Sequence, residues 1–255
     1  MFPEIHLGPL RLDSYFTLMA LALAIPLFYG PSRARRLMPE RARDFSNLLL
    51  VMYVCALIGF RLFHVIFELP GYYLAHPLAI FQFWKGGFVA YGGLFFALIS
   101  AAVFIAVKKL PVLLTADALA APIALVFVVA RLACFARGCC YGVASDSPWA
   151  VVFPQGAVAP AGVPLAPTQL YLSAAAFIVF LLIIFCERGL PRLRFPGLSA
   201  AIFLILYPIA RILVEFQRAD FRGEFLLGFS VSQWLSLPLM ALGLWLLMLG
   251  TRFRE

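Results

Sequence analysis

Long runs of apolar residues, separated by short polar segments, are the main pattern along this chain. A helix needs roughly 20 apolar residues to cross a bilayer, and several of these runs reach that length. The pattern predicts seven membrane-spanning helices, at residues 14–30, 47–68, 87–107, 113–136, 168–186, 197–217 and 231–250. A membrane β-barrel would show short alternating segments instead. We therefore predict an all-α polytopic membrane protein.

Composition and two shorter segments refine this architecture. Hydrophobic residues make up 64% of the 255 residues, charged residues 13%, and the mean hydropathy is +0.98, which excludes a soluble globular protein. We predict a single seven-helix membrane domain over residues 1–255. The aromatic piece near 71–84 is too short to span and predicts an interfacial segment. The proline- and glycine-bearing piece near 143–167 predicts an ordered extracytoplasmic loop.

The distribution of Lys and Arg predicts the orientation in the membrane. Twelve of the 20 lie after the first, third, fifth and seventh predicted spans, five lie on the opposite side, and three lie inside spans. Positive residues are retained on the cytoplasmic side, so we expect the N-terminus outside and the C-terminus in the cytoplasm. The net charge of +8 is mostly this topological signal, with attraction to anionic head groups. Nucleic acid is not an expected partner.

Three arginines, Arg61, Arg131 and Arg211, lie inside predicted spans. A charged side chain there costs several kcal/mol unless it faces a partner or a polar cavity, so each is a candidate functional residue. The predicted topology puts all three toward the outer half of their helices, which favours a shared anionic ligand. Snorkelling and salt bridges between helices stay open as alternatives.

The sixth predicted span carries a polar stripe. In LILYPIARILVEFQRADF, four residues recur at offsets of 4, 4 and 3 and so share one helix face: Tyr207, Arg211, Glu215 and Arg218. Arginine donors suit bidentate contacts with a phosphate. A self-contained ion pair that fixes helix packing is the alternative interpretation.

The second span and the start of the third offer weaker candidates. Arg61, His64 and Glu68 share one face of GFRLFHVIFEL, where His64 is either a base or a packing residue. Glycines flank Tyr91 in WKGGFVAYGG, and they permit close approach of a head group or of another helix.

Three of the five cysteines, Cys134, Cys139 and Cys140, lie at the outward end of the fourth predicted span. They are compatible with simple packing, with a disulfide involving Cys134, or with a covalent acyl or lipid carrier. A metal site is a further alternative, although C-x4-C-C lacks the usual paired spacing and no histidine is close in sequence.

Taken together, several blocks resemble the prolipoprotein diacylglyceryl transferases in order and spacing over nearly the whole chain. They are GPLRLDSY, GFRLFHVIF, WKGGFVAYGG, RLACFARGCCYG, APTQLY, YPIARILVEFQR and SQWLSLP. The resemblance implies an enzyme of the bacterial inner membrane whose active site opens to the periplasm. It implies transfer of the diacylglyceryl group of phosphatidylglycerol to the lipobox cysteine of a preprolipoprotein, forming a thioether and releasing glycerol phosphate. It implies no cofactor and no metal.

The resemblance also assigns residues. It implies catalytic roles for Arg131, Tyr207, Arg211, Glu215 and, at a position where the family has histidine, Tyr91. It implies substrate contacts for Tyr15, Arg61, Gly92, Gly93 and Gly142, to which the polar stripe adds Arg218. Such a site needs cationic donors where charge builds on the leaving phosphate.

The chain departs from the family pattern at several polar positions. Cys134 and Cys139 replace an asparagine and a glutamate, and Ala166 and Leu172 stand where the helix-five motif begins with histidine and closes with glutamate. Tyrosine, with an ordinary pKa near 10, is a poor base at neutral pH, so His64 is a candidate substitute. We therefore predict a divergent member with its phosphate-binding side kept. A phospholipid-binding or lipid-moving protein of the same fold, or a transferase with another acceptor, is the alternative.

Overall fold

In the part of the chain that the structure describes, seven helices are long and apolar enough to cross a membrane. The structure is a computed structural model that describes residues 4–7, 10–82, 86–190, 194–220 and 228–252. The long helices are α1 (Ser14–Leu37), α2 (Ala42–Phe63), α4 (Ala90–Lys108), α5 (Val112–Arg137), α6 (Thr168–Gly189), α7 (Leu198–Glu215) and α8 (Val231–Arg252). They confirm the predicted all-α polytopic class with its seven spans, whereas the orientation of the termini stays a prediction.

Short elements lie between the long helices. Strand β1 (Glu4–Leu7) pairs antiparallel with β2 (Leu10–Asp13), and β3 (Val151–Val152) pairs with β4 (Pro164–Leu165) inside the predicted loop. The segment predicted to be interfacial forms the short helix α3 (Pro70–Ala75) and a 3-10 helix (Pro77–Phe81). Its last residues, 83 and 84, lie outside the described part, and its place at a membrane surface stays a prediction.

Several helix ends differ from the hydropathy boundaries. Helix α1 continues to Leu37, well past the apolar run, because hydropathy marks where the bilayer ends and not where backbone hydrogen bonding stops. At its other end, the Asp13 carboxylate accepts a hydrogen bond from the Phe16 amide at 3.0 Å and so caps the first turn. Helix α2 passes into a π-helical turn at His64–Glu68, which completes the predicted second span.

The chain divides into two compact units, of which one comprises Pro31–Thr115. In this second unit α2 packs on α4. The two helices cross where Gly59 meets Gly92, and a Cβ on either glycine would overlap the carbonyl oxygen of the other. Glycine is therefore required for this close approach of two backbones.

The first unit comprises Met1–Gly30 and Ala116–Glu255. Its core includes a cluster of small and branched residues from α5 and α6, namely Ala120, Ala121, Val179 and Ile183. Asp117 of α5 accepts hydrogen bonds from the amides of Gly197 at 2.7 Å and Ala200 at 2.9 Å, at the start of α7. This buried carboxylate satisfies amides that a helix start leaves unpaired and fixes the position of α7.

Candidate functional site

Helix α7 carries a buried aromatic residue at the centre of the candidate site. Tyr207 is 6% exposed, and its ring stacks on Phe203 at 5.6 Å and contacts Phe127 of α5 at 4.4 Å between centroids. Its buried hydroxyl makes no hydrogen bond of standard geometry among the described residues, and the Arg131 side chain is its charged neighbour. A polar oxygen held beside a guanidinium at this depth is an arrangement that a polar ligand group could complete.

One turn further along α7, Arg211 joins two helices. One of its nitrogens bonds the Glu215 carboxylate, and Nη2 donates to the Ser232 hydroxyl of α8 at 2.8 Å. Both charged side chains are 8% exposed. The predicted pairing of Arg211 with Glu215 is therefore present, and the contact with Ser232 holds the guanidinium in a fixed plane.

The start of α8 is fixed by a capping box. The Ser230 amide donates to Gln233 Oε1 at 2.9 Å, and the Gln233 amide donates to the Ser230 hydroxyl at 3.3 Å. Glu215 also interacts with the Ser230 side chain. The cap therefore connects the α8 backbone to the ion pair on α7.

Arg218 lies just beyond the end of α7, so the predicted stripe shares one helix only as far as Glu215. Arg218 nevertheless belongs to the same network. Its Nε is 3.8 Å from Glu215, and its Nε and Nη2 donate hydrogen bonds of 2.7 to 2.9 Å to the Asp220 carboxylate. Its Nη1 is buried and has no hydrogen-bond partner among the described residues. A buried cationic donor without an acceptor is suited to an anionic ligand.

Charges do not balance within this network. Arg131 and Arg211 are close enough to repel each other. We define the arginine cluster as Arg131, Arg211 and Arg218 with the carboxylates Glu215 and Asp220. Among the residues that the structure describes, three positive charges face two negative ones in this cluster, and the excess positive charge is suited to attract an anion.

Gly142 joins three chain segments beside the cluster. Its amide donates to the Ala166 carbonyl at 3.0 Å, and its backbone bridges to Arg218. A Cβ at this position would lie 2.6 Å from the Ala166 carbonyl oxygen and 2.7 Å from that of Gln217. The geometry thus gives Gly142 a backbone-packing role, while a substrate contact stays a prediction.

Tyr15, the first-helix tyrosine, lies beside Arg137. The Arg137 guanidinium sits 4.8 Å from the centroid of the Tyr15 ring, in cation–π geometry. Both residues line a cavity of about 330 Å³, together with Asp13, Phe16 and residues 154–158 of the loop. The sequence did not single out Arg137, and only this contact identifies it.

Arg61 belongs to the second unit and has different partners. Its side chain is surrounded by backbone carbonyls, with Nε 2.9 Å from the Ile80 oxygen and Nη2 2.6 Å from that of Ala79. Further carbonyl contacts come from Gln82, Gly86 and Gly87. Arg61 therefore organises the segment that follows α3, and direct substrate contact stays a prediction.

The remaining second-unit candidates lie on or beside α4. Gly92 meets α2 at Gly59, and Gly93 packs against the Phe60 ring, so both serve helix packing. Tyr91 is 70% exposed on α4. His64 is 8% exposed, with its Nδ1 2.5 Å from Glu68.

The three cysteines near the end of α5 gather in one place. Their Sγ atoms all lie within 4.8 Å of one another. Hydrogen bonding with the thiols of Cys134 and Cys140, followed by burial, raises the pKa of Cys139. Ala166 and Leu172, at positions where the family pattern is polar, are buried apolar residues with 4% and 1% exposure.

Several positioning residues escaped the sequence analysis. The S-x-x-Q pattern before α8 was a readable capping box, and it would have drawn attention to Ser230, Ser232 and Gln233. Asp117 and Asp220 carried no such local signal. Asp117 binds the start of a helix that is distant in sequence, and Asp220 binds Arg218 at an offset of two, which is not a helical spacing.

The fold and the arginine cluster define a multi-pass helical membrane protein with a positively charged group buried among its helices. The model of the family described as prolipoprotein diacylglyceryl transferase matches residues 4–249, and the chain belongs to this family. A phosphatidylglycerol–prolipoprotein diacylglyceryl transferase of Cupriavidus metallidurans is 34% identical, covering 94% of this chain and 89% of the relative. Proteins with the same name from Bordetella avium (34% identical; 97% and 94% covered) and Paraburkholderia phymatum (31%; 97% and 92%) are similar.

Proposed function

We propose that this protein transfers the diacylglyceryl group of phosphatidylglycerol to the lipobox cysteine in the signal peptide of a preprolipoprotein. The observation that carries the proposal is the arginine cluster, with its excess positive charge and the unpartnered Nη1 of Arg218. Family membership and the names of the relatives support the same reaction. We place the enzyme in the bacterial inner membrane with its site toward the periplasm, as the predicted topology suggests.

In the proposed reaction the acceptor thiol loses its proton, and its sulfur forms a bond to the glyceryl carbon. The bond between that carbon and the phosphate oxygen breaks, and the electron pair leaves with glycerol phosphate. Negative charge therefore builds on the leaving phosphate. Arg131 and Arg211 are fixed donors that stabilise this charge, with Arg218 as a binding contact. Glu215 keeps the Arg211 guanidinium oriented, and the Tyr207 hydroxyl supplies a further donor beside Arg131.

Proton removal from the acceptor thiol is the step for which the family pattern offers a histidine. The Tyr91 hydroxyl stands at the position of the family's histidine, and its 70% exposure leaves it open to an approaching acceptor peptide. Because tyrosine is a poor base at neutral pH, Tyr91 is proposed to contact the acceptor by hydrogen bonding while the thiol proton passes to solvent. Tyr15 and the adjoining cavity are proposed to bind substrate groups.

Purified full-length protein with labelled phosphatidylglycerol and a lipobox peptide tests the proposal directly. We expect glycerol phosphate release and lipid attached to the peptide in equal amounts. A peptide with serine in place of the lipobox cysteine is the matched control and should accept no lipid. Lipid binding without either product would contradict the proposal and favour a lipid-binding protein of the same fold.

A further inference from the structure

The three-cysteine cluster, formed by Cys134, Cys139 and Cys140, is not used by the proposed transfer reaction. Cys139 follows Cys134 at an offset of five positions, and on a continuous helix the two side chains would point about 140° apart. Helix α5 instead ends at Arg137 and the chain turns, so that the Cys139 amide bonds the Cys134 carbonyl at 3.1 Å. The turn brings together thiols that sequence spacing alone would separate.

Buried polar side chains hold this turn in place. Gln169 is fully buried and its Nε2 donates to the Cys139 carbonyl at 2.7 Å, while the Thr168 hydroxyl donates to that of Cys140 at 2.6 Å. Cys140 adopts a φ of +64°, an uncommon conformation for a residue with a side chain. The start of α6 therefore fixes the backbone of both later cysteines.

We propose that Cys134, Cys139 and Cys140 bind one soft monovalent metal ion of the copper(I) type through three thiolate sulfurs. Metal–thiolate bonds of about 2.3 Å in a trigonal plane put the sulfurs roughly 4 Å apart. The three Sγ atoms already lie within 4.8 Å of one another, so small side-chain rotations complete the site. Thiolates are the ligands that soft ions select.

Ligand number favours a monovalent ion over zinc. Structural zinc takes four ligands, whereas the described residues offer three at this place. On binding, each thiol releases its proton to solvent, and three thiolates with one monovalent ion carry two negative charges. The Arg131 guanidinium, which interacts with Cys134 and Cys140, offsets one of them.

A chelator competition on the reduced full-length protein tests the site without reference to transferase activity. Under anaerobic conditions, copper(I) is added in the presence of a coloured bicinchoninate chelator. We expect one copper per chain to be withheld from the chelator, with ultraviolet absorption from thiolate-to-copper charge transfer. Cys139→Ala should lower the affinity at least a hundredfold, whereas Cys55→Ala with Cys186→Ala should leave it unchanged. Equal binding by Cys139→Ala would overturn the proposal.

Alkylation of the unmutated protein provides a test that does not depend on the folding of a variant. One equivalent of silver(I), a redox-inert ion of the same type, is added before iodoacetamide, and labelled peptides are quantified by mass spectrometry. We expect Cys134, Cys139 and Cys140 to be protected together, with Cys55 and Cys186 labelled as before. Protection of none of the three, or a disulfide that re-forms after reduction and prevents ion binding, would overturn the proposal.

Discussion

Arg61 and Arg211 are both buried in helices that cross the membrane, and both precede an acidic residue on the same face. Their surroundings differ. The donors of Arg61 are taken up by neutral backbone carbonyls of a neighbouring segment. Arg211 is held by a carboxylate and a hydroxyl, next to another arginine whose Nη1 has no partner among the described residues.

The difference shows that two similar sequence patterns can have different roles, one in stabilising the fold and one in binding an anion. A guanidinium satisfied by carbonyls has fulfilled its hydrogen bonds and stabilises the fold. A guanidinium oriented by a carboxylate keeps a defined plane and, within a cluster of excess positive charge, remains able to attract an anion. Substitutions at Arg211, Arg61, Gly142 and Tyr91 test this division.

Arg211→Lys should lower the transfer rate roughly a hundredfold, because a point charge cannot bond Glu215 and Ser232 while also donating to a phosphate. The unfolding temperature should change little, since the positive charge and the pair with Glu215 remain. Initial rates and thermal unfolding in the same detergent check both parts. The control is Arg194→Lys, at an exposed arginine; wild-type activity in Arg211→Lys would remove the assigned role.

Arg61→Met should act on stability, lowering the free energy of unfolding by about 3 kcal/mol because buried carbonyls lose their donor. Thermal unfolding and proteolysis of the segment at residues 70–82 measure this. Arg41→Met is the control, since Arg41 is exposed and makes a surface pair with Asp44 at 3.4 Å. If Arg61→Met were as stable as the parent but inactive, Arg61 would belong with Arg211 as a substrate contact.

Gly142→Ala should cost about 2 kcal/mol of stability, because the added Cβ overlaps two carbonyl oxygens and both belong to backbone that cannot move freely. Gly71→Ala, where nothing lies within 4 Å of an added Cβ, is the matched control. Chemical denaturation of the two variants gives the comparison. An unchanged midpoint for Gly142→Ala would show that the three-segment contact is looser than described.

Substitution of Tyr91 tests its proposed contact with the acceptor, and we expect it to change the transfer rate less than substitution of Arg211 does. Tyr91→His places the family's residue at this position and should raise the rate roughly tenfold if proton transfer here is limiting, while Tyr91→Phe should lower it. Rates measured with a lipobox peptide between pH 6 and 9 check this, and the histidine variant should gain activity above its own pKa. Identical rates in all three proteins would assign proton transfer elsewhere, with His64 the next candidate.

Much of the fold could be predicted because the length of an apolar run can be read from consecutive residues. All seven spans were found from the pattern, and their errors fall at helix ends such as Leu37 and Glu215, where backbone geometry decides. Within the site, the pairing of Arg211 with Glu215 followed from a four-residue offset. The contacts of Asp117, Ser232 and Asp220 could not be found this way, because their partners lie on other segments or outside the helical period.

The membrane class, the family and the candidate arginines could be read from the amino-acid sequence, because hydropathy, residue order and the cost of burying a charge depend on residue type and position along the chain. Three-dimensional contacts were needed to distinguish Arg61, which is satisfied by carbonyls, from the charged cluster around Arg211. The same kind of contact determines the local structure of RLACFARGCCYG. Helix α5 ends there and the chain turns, so that three thiols come together beside Arg131. Hydrogen bonds to α6 fix that turn, and such long-range contacts have no signature in spacing.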